Sequence, residues 1–183
     1  MKWIFIFVVV FPMLSFGQKF DVSIGGGFSY NKIEPAINTK PAISPAFNVS
    51  ASYVGLSHVC FGVSYLRSKF DKLAFNNYSL ISDVNFGKNT IFSVGASLGY
   101  NTYEKYTITK TSFQAENYSF DCQNSISYGL RLQLKTRLTK NLYIGLLASP
   151  SYSKSQYNNS LRLTNYKIDL YAIPVLLNLH FRF

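Results

Sequence analysis

The final stretch, Tyr171 to Phe183, restricts the fold more than any other part of the chain. Counting back from the carboxyl terminus, Phe183, Phe181, Leu179, Leu177, Val175, Ile173 and Tyr171 share one face of an extended strand. Arg182, His180, Asn178, Leu176, Pro174 and Ala172 lie on the other, because strand side chains alternate. One side is apolar throughout and the other is mixed. A half-buried strand of a soluble domain and a strand set against lipid both give this pattern, so the remainder of the chain has to discriminate.

The same period of two runs through the sequence. Phe20, Val22, Ile24, Phe28 and Tyr30 oppose Asp21, Ser23, Gly25, Gly27 and Ser29; Phe47, Val49, Ala51 and Tyr53 oppose Asn48, Ser50 and Ser52. Val59, Phe61, Val63 and Tyr65 alternate with Cys60, Gly62 and Ser64, and Tyr78, Leu80, Val84 and Phe86 with Ser79, Ile81, Asp83 and Asn85. A fifth segment shows Phe92, Val94, Ala96, Leu98 and Tyr100; a sixth shows Ile126, Tyr128, Leu130, Leu132, Leu134 and Leu138 against Ser127, Gly129, Arg131, Gln133, Lys135 and Arg137. A seventh runs from Leu142 through Ile144, Leu146 and Ala148 to Tyr152. The consecutive glycines Gly25 to Gly27 are no phosphate loop, since no helical pattern follows; glycine within a strand marks bending or close backbone approach. These are eight strands, joined by alternating long and short connections. The loops predicted are Ile33 to Ser44, Phe70 to Asn76, Thr102 to Asn117 and Lys154 to Ser160. The short turns lie around Gly55 to His58, Gly87 to Asn89 and Thr139 to Asn141.

The two faces decide between water and lipid. No charged residue occurs on the apolar face of any span, where a Lys or Arg at the bilayer midplane would cost about 2–4 kcal/mol. A soluble ligand-binding barrel has the reverse polarity, with bulky apolar side chains inside. Composition agrees: 14% of residues are charged, against roughly 25% in ordinary soluble domains. The 16 Phe and 14 Tyr gather at the span ends. Tyr30, Tyr65, Tyr78, Tyr100 and Tyr152 would form one girdle, and Phe20, Tyr53, Phe61, Phe86, Phe92 and Phe183 the other. In a bilayer the sheet must close, so the first strand is expected to pair with the last.

Residues 1–17 read as a secretory signal. Lys2 precedes an apolar run from Trp3 to Leu14, too short to span a bilayer as a helix, and Ser15 and Gly17 supply the small residues of a cleavage site before Gln18. The barrel domain is then 18–183.

On these residues the chain resembles small bacterial outer-membrane β-barrels of the OmpX, OmpA-barrel or PorT-like kind. The resemblance implies an eight-stranded antiparallel up-and-down transmembrane β-barrel in the outer membrane of a Gram-negative cell. Both termini and the short turns would be periplasmic, and the long loops extracellular. It also implies that Phe183, with Phe181 and Leu179, is the signal read by the barrel-assembly machinery.

In that topology the lumen would hold Asp21, Asp83, Arg131, Lys135, Arg137, His180 and Arg182. Buried charges need partners, so these are expected to form a salt-bridged plug; a narrow charge-selective water column is the alternative. Cys60 would face the lumen near the periplasm and Cys122 the extracellular part of the sixth strand, too far apart for a disulfide. Neither histidine, His58 in a turn or His180 near the terminus, reaches the outer leaflet. Outer-leaflet acyl chemistry therefore lacks a general base, and no catalytic residue, metal site or cofactor is expected.

The formal net charge of +10 contains no basic run suited to nucleic acid. The outer side, assigned by topology, holds a basic excess, with Lys32, Lys40, Arg67, Lys69, Lys72, Lys105, Lys110, Lys154, Arg162 and Lys167 against Glu34, Asp71, Glu104, Glu116, Asp121 and Asp169. Such an excess suits outer-membrane lipids, the phosphates of lipopolysaccharide or an acidic glycan. Alternation also continues past the spans. Tyr106, Ile108, Tyr118 and Phe120 suggest a protruding hairpin from Tyr103 to Asp121, able to pair with a strand of a surface or secretion-complex partner. Tyr166, Ile168 and Leu170 are one residue out of phase with Tyr171 and Ile173. Either a bulge near Pro174 resets the phase or the strand changes role above the membrane. The function expected is structural or surface interaction by a monomeric barrel. A porin-like diffusion channel or an accessory part of a secretion or assembly complex are the alternatives.

Overall fold

The computed structural model describes residues 19–34, 41–55, 58–70, 73–104, 106–110, 116–159 and 164–183. The proposed signal segment lies outside the described residues, as do Lys40, Asp71, Lys72, Lys105 and Arg162. The strands are β1 (Lys19–Glu34), β2 (Ala42–Val54), β3 (Val59–Phe70), β4 (Leu73–Phe86), β5 (Thr90–Tyr103), β6 (Tyr106–Lys110), β7 (Glu116–Cys122), β8 (Ser125–Arg137), β9 (Leu142–Ala148), β10 (Ser151–Asn159) and β11 (Thr164–Arg182). Short interruptions separate β5 from β6, β7 from β8 and β9 from β10, so the strands form eight staves of one closed antiparallel barrel. β1 closes on β11 along its length, from Asp21↔Arg182 to Glu34↔Asp169. Phe20 and Phe183 exchange two further backbone hydrogen bonds, of 3.1 and 2.9 Å, below them.

The register fixes the shape. Following paired residues from Ser23 through Ser50, Ser64, Ser79, Gly99, Ser127, Ser153 and Leu170 returns to β1 at Ile33. The stagger on closure is thus ten residues, from 23 to 33. Eight strands with a stagger of this size tilt by about 40° and leave an interior that side chains alone fill. The short turns are tight. Gly87 adopts φ 97° and His58 φ 65°, the left-handed conformation that glycine takes freely and other residues seldom do.

Alternation places side chains as the sequence leads one to expect. The outward row holds the exposed Ile24, Phe28, Val63, Leu80, Leu98, Leu130, Leu146, Leu177 and Phe181. The inward row holds buried Ser23, Ser29, Asn48, Ser64, Ser93, Ser127 and Asn178. Adjacent residues on β8 show the contrast: Leu130 is 61% exposed and Arg131 4%. Such a surface is stable only against hydrocarbon. On β1 it runs from Phe20 to Tyr30, about the 9–11 residues a tilted strand needs to cross a bilayer. Tyr128 and Tyr171 join the upper aromatic girdle. Tyr152 stacks between them, with ring centroids 5.3 and 5.1 Å apart.

The staves extend beyond the sequence-based boundaries. β1 runs on to Glu34, β2 begins at Ala42, β3 reaches Phe70 and β4 starts at Leu73, so the segment expected as a loop from Phe70 to Asn76 is largely strand, and the one from Ile33 to Ser44 is strand at both ends. The cause is a reversal of polarity along the same staves. Above the girdle Ile33, Leu73, Phe75, Ile168 and Leu170 point inward and are buried, while Lys32, Lys69, Lys154, Lys167 and Asp169 lie on the outward row. The strands leave lipid and enter water, and the apolar side chains exchange faces. β11 carries this change without a bulge, since its pairing with β1 is unbroken across Pro174. Of the two alternatives for the phase of Ile168 and Leu170, the change of role holds.

Because Leu130 lies mid-span on the lipid row, Leu130→Arg is expected to destabilise the folded barrel by about 2–4 kcal/mol. Reversible urea unfolding in lipid vesicles measures this. A cost below about 0.5 kcal/mol would mean that this face does not meet the bilayer core.

Candidate functional site in the lumen and at the outer rim

The lumen is filled in three storeys. The lowest, at the end with the short turns, is built by the inward residues of β1, β4, β8 and β11. Asp21 is its hub. Its Oδ2 accepts from Lys135 Nζ at 2.9 Å and from Arg182 Nη2 at 3.0 Å, and its Oδ1 lies 3.0 Å from His180 Nδ1. The other ring nitrogen of His180 faces Gln133 Nε2 at 3.1 Å. An amide nitrogen only donates, so the ring proton sits on Nδ1 and points to Asp21. A second pair stands beside it, with Arg131 Nε 3.2 Å from Asp83 Oδ1. Arg182 also lies over the Tyr143 ring, 4.9 Å from its centroid.

The space left between Asp21, Asp83, Arg131, Gln133, Lys135 and His180 is about 10 Å3, no more than one water occupies. Two carboxylates, Asp21 and Asp83, face three cationic side chains, Arg131, Lys135 and Arg182, which leaves one positive charge in excess. Arg137 is not brought into it. Its side chain is exposed and donates to the carbonyls of Thr139 and Lys140 at 3.0 and 3.4 Å, because its position is the last of β8, below the lumen, where it caps the turn.

The middle storey is small and polar. Ser23 and Ser50 hydroxyls are 2.7 Å apart, Asn48 Nδ2 donates to Ser64 at 2.7 Å, and Asn77 Nδ2 donates to Asn101 and Ser127. Buried Asn178 lies against Gly25, where a Cβ would come within 1.5 Å of its Oδ1. This close approach is the use of the glycine run.

The upper storey is apolar and was not foreseen. Ile33, Leu66, Phe75, Ile168, Leu170 and Ala172 pack together with Cys122, and Tyr103 lies against them. Its signal was present in the inward alternation of Leu73 and Phe75 and in the phase of Ile168 and Leu170. Cys60 and Cys122 are not disulfide-bonded and belong to opposite ends of the barrel. Among the described residues no group of His, Cys, Asp and Glu could hold a metal ion.

At the outer rim, β6 and β7 form a hairpin, from Tyr106↔Phe120 to Lys110↔Glu116, and β7 continues onto β10 at Tyr157↔Cys122. Only the backbone of β6 is described. Between β7 and β8 the pairing with β10 slips by one residue, from Ser127↔Ser153 to Cys122↔Tyr157. The extra residue makes a bulge at Gln123–Asn124. Arg67 Nη2 donates to Glu104 Oε1 at 2.6 Å across the outside of β4, and Lys32 pairs with Glu34.

Removing the hub leaves buried cations without a counter-charge. Asp21→Asn is expected to destabilise the barrel by about 3–5 kcal/mol, whereas Arg137→Gln should change stability by less than about 0.5 kcal/mol. Urea unfolding of both variants in detergent micelles measures the difference. Equal effects would mean that Asp21 does not organise the plug.

No family model matches the chain, and no curated relative does. Solved structures do share its architecture. Neisserial surface protein A aligns with a TM-score of 0.61 at 16% identity, over 90% of this chain and 97% of that one. A major outer membrane protein from Thermus thermophilus aligns at 0.54 and 14%, over 91% and 100%. The outer membrane protein OprG from Pseudomonas aeruginosa aligns at 0.53 and 11%, over 91% and 96%. With a closed barrel of eight staves, an apolar outer belt and a packed interior, the chain has the fold of the small bacterial outer-membrane β-barrels.

Proposed function

We propose that this is a monomeric integral outer-membrane protein with a closed lumen, acting through its extracellular end by surface interaction rather than by conduction or catalysis. The observation that carries the reading is the filling of the barrel. A charged plug stands below and an apolar lid above, which opposes the alternative of a porin-like diffusion channel. Two further observations support a role for the outer end. Among the described residues the sheet order ends at β6, which leaves the hairpin a strand edge above the membrane, and backbone edges pair readily with an extended segment of another protein. A secretion-complex subunit would meet the same edge. The exposed Lys69, Lys154 and Lys167 form a basic rim suited to lipid phosphates.

Catalysis is opposed by the placement of His180 inside the plug and His58 in a periplasmic turn. The outward Phe183, Phe181 and Leu179, beside the closing seam, fit a role as the signal read by the barrel-assembly machinery. Residues 1–17 fit an export signal removed before assembly.

Single-channel recording in planar bilayers tests the reading. Protein whose folding is verified by a heat-dependent gel shift is expected to give no steps. Reproducible steps that vanish in Arg131→Gln would overturn it in favour of a channel. Removal of residues 105–116 is expected to keep the gel shift and abolish adhesion or partner capture; unchanged capture would discard the hairpin.

A further inference from the structure

The bulge at Gln123–Asn124 opens a second feature on the outside of the barrel. Lys154 and Gln156 of β10, and Lys167 and Asp169 of β11, stand on the outward row, while Ser155 and Ile168 between them turn inward and are buried. Cross-strand register sets Lys154 opposite Asp169 and Gln156 opposite Lys167. The Ser155 hydroxyl donates to the Gln123 carbonyl, and the Gln123 amide donates to the Gln156 carbonyl at 2.9 Å. These bonds hold the bulge against β10, and the amide side chains of Gln123 and Asn124 are exposed beside the two lysines. Together these residues line a pocket of about 520 Å3, within the roughly 300–1,000 Å3 of small-molecule sites.

The position of the pocket selects its occupant. It sits directly above Tyr128, Tyr152 and Tyr171, a stacked part of the upper girdle, and aromatic girdles mark the headgroup level of a bilayer. The Tyr152 hydroxyl donates to Asp169 Oδ1 at 2.7 Å, tying the girdle to the pocket floor. The pocket therefore opens sideways, toward the headgroups of the outer leaflet.

Its chemistry is mixed. Two ammonium groups suit a phosphate. One carboxylate, which accepts from Tyr152 through one oxygen, and three amide side chains suit hydroxyl groups. A bare phosphate would gain from the lysines and lose from Asp169; a phosphorylated sugar uses both. We infer that this pocket binds the phosphorylated sugar headgroup of an outer-leaflet glycolipid, with its acyl chains running down over the tyrosines. The inference rests on the reading of the outward belt as lipid-facing and deepens the proposed role of the basic rim.

The test is native mass spectrometry of the full barrel in nanodiscs. These carry lipid A, a bisphosphorylated acylated diglucosamine, and phosphatidylglycerol at equal mole fraction. The wild type is expected to retain lipid A in preference. K154Q/K167Q should lose about tenfold in lipid A retention, the effect of removing charge-assisted hydrogen bonds. Lys140→Gln, in a periplasmic turn, should match the wild type. Equal retention by K154Q/K167Q and wild type would overturn the site. Equal retention of the two lipids by the wild type would reduce it to a charge effect and overturn the sugar specificity. The single variants K154Q and K167Q are read by the same measure if the double variant lacks the heat-dependent gel shift. A silent planar bilayer combined with failure here would leave the closed barrel standing without this ligand.

Discussion

Closure of the sheet governs everything else in the molecule. Hydrocarbon offers no partner to a backbone amide or carbonyl, so a strand that crosses a bilayer must be paired on both sides. β1 and β11 satisfy this by meeting along fourteen register positions, from Asp21 to Glu34 on one side. Eight staves and a stagger of ten then leave a narrow interior in which inward side chains from distant staves meet, as Asp21 and Lys135 do. The charged storey follows directly. Asp21 comes from the first stave, Lys135 from the sixth and Arg182 from the last, yet all three meet. Closure brings them together, and their pairing in turn ties the seam to the far wall.

The polarity of the interior is what makes the barrel a solid. A buried ion pair gains little over well-packed apolar side chains, but breaking one is costly. The plug therefore acts more as a device for holding one arrangement than as a source of stability. Small polar residues fill the middle storey, and the apolar lid fills the interior where the staves leave the membrane. The outer rim is where exposed cations, the bulge and the hairpin are gathered.

Much of this was legible in the sequence, and the reason is periodicity. Ile126 to Leu138 against Ser127 to Arg137 specifies both the strand and its lipid side, and a one-residue slip would turn every side chain over. Asp21, Asp83, Arg131 and Lys135 were legible as inward by the same count. Their partners were not, because pairing depends on stagger, and nothing in a linear sequence states that residue 23 returns at residue 33. Arg137 shares the inward phase, but phase gives direction without height, and it stands just below the lumen. The lid was missed for a related reason. Leu73, Phe75, Ile168 and Leu170 reverse the polarity rule that held below them, and a reversal looks like a loop until the barrel's height is known. The slip at Gln123–Asn124 leaves no mark in a polar stretch.

The exchange of faces at the top of the staves also determines vertical position. A barrel whose apolar belt faded gradually would be free to bob in the bilayer. Here the boundary is abrupt. Sinking by two residues would drag Arg67, Lys154 and Asp169 into acyl chains; rising by two would lift Phe181 and Phe183 away from the inner interface. The molecule behaves as a float with fixed draught, and the hairpin of β6 and β7 is held at one constant height above the apolar belt.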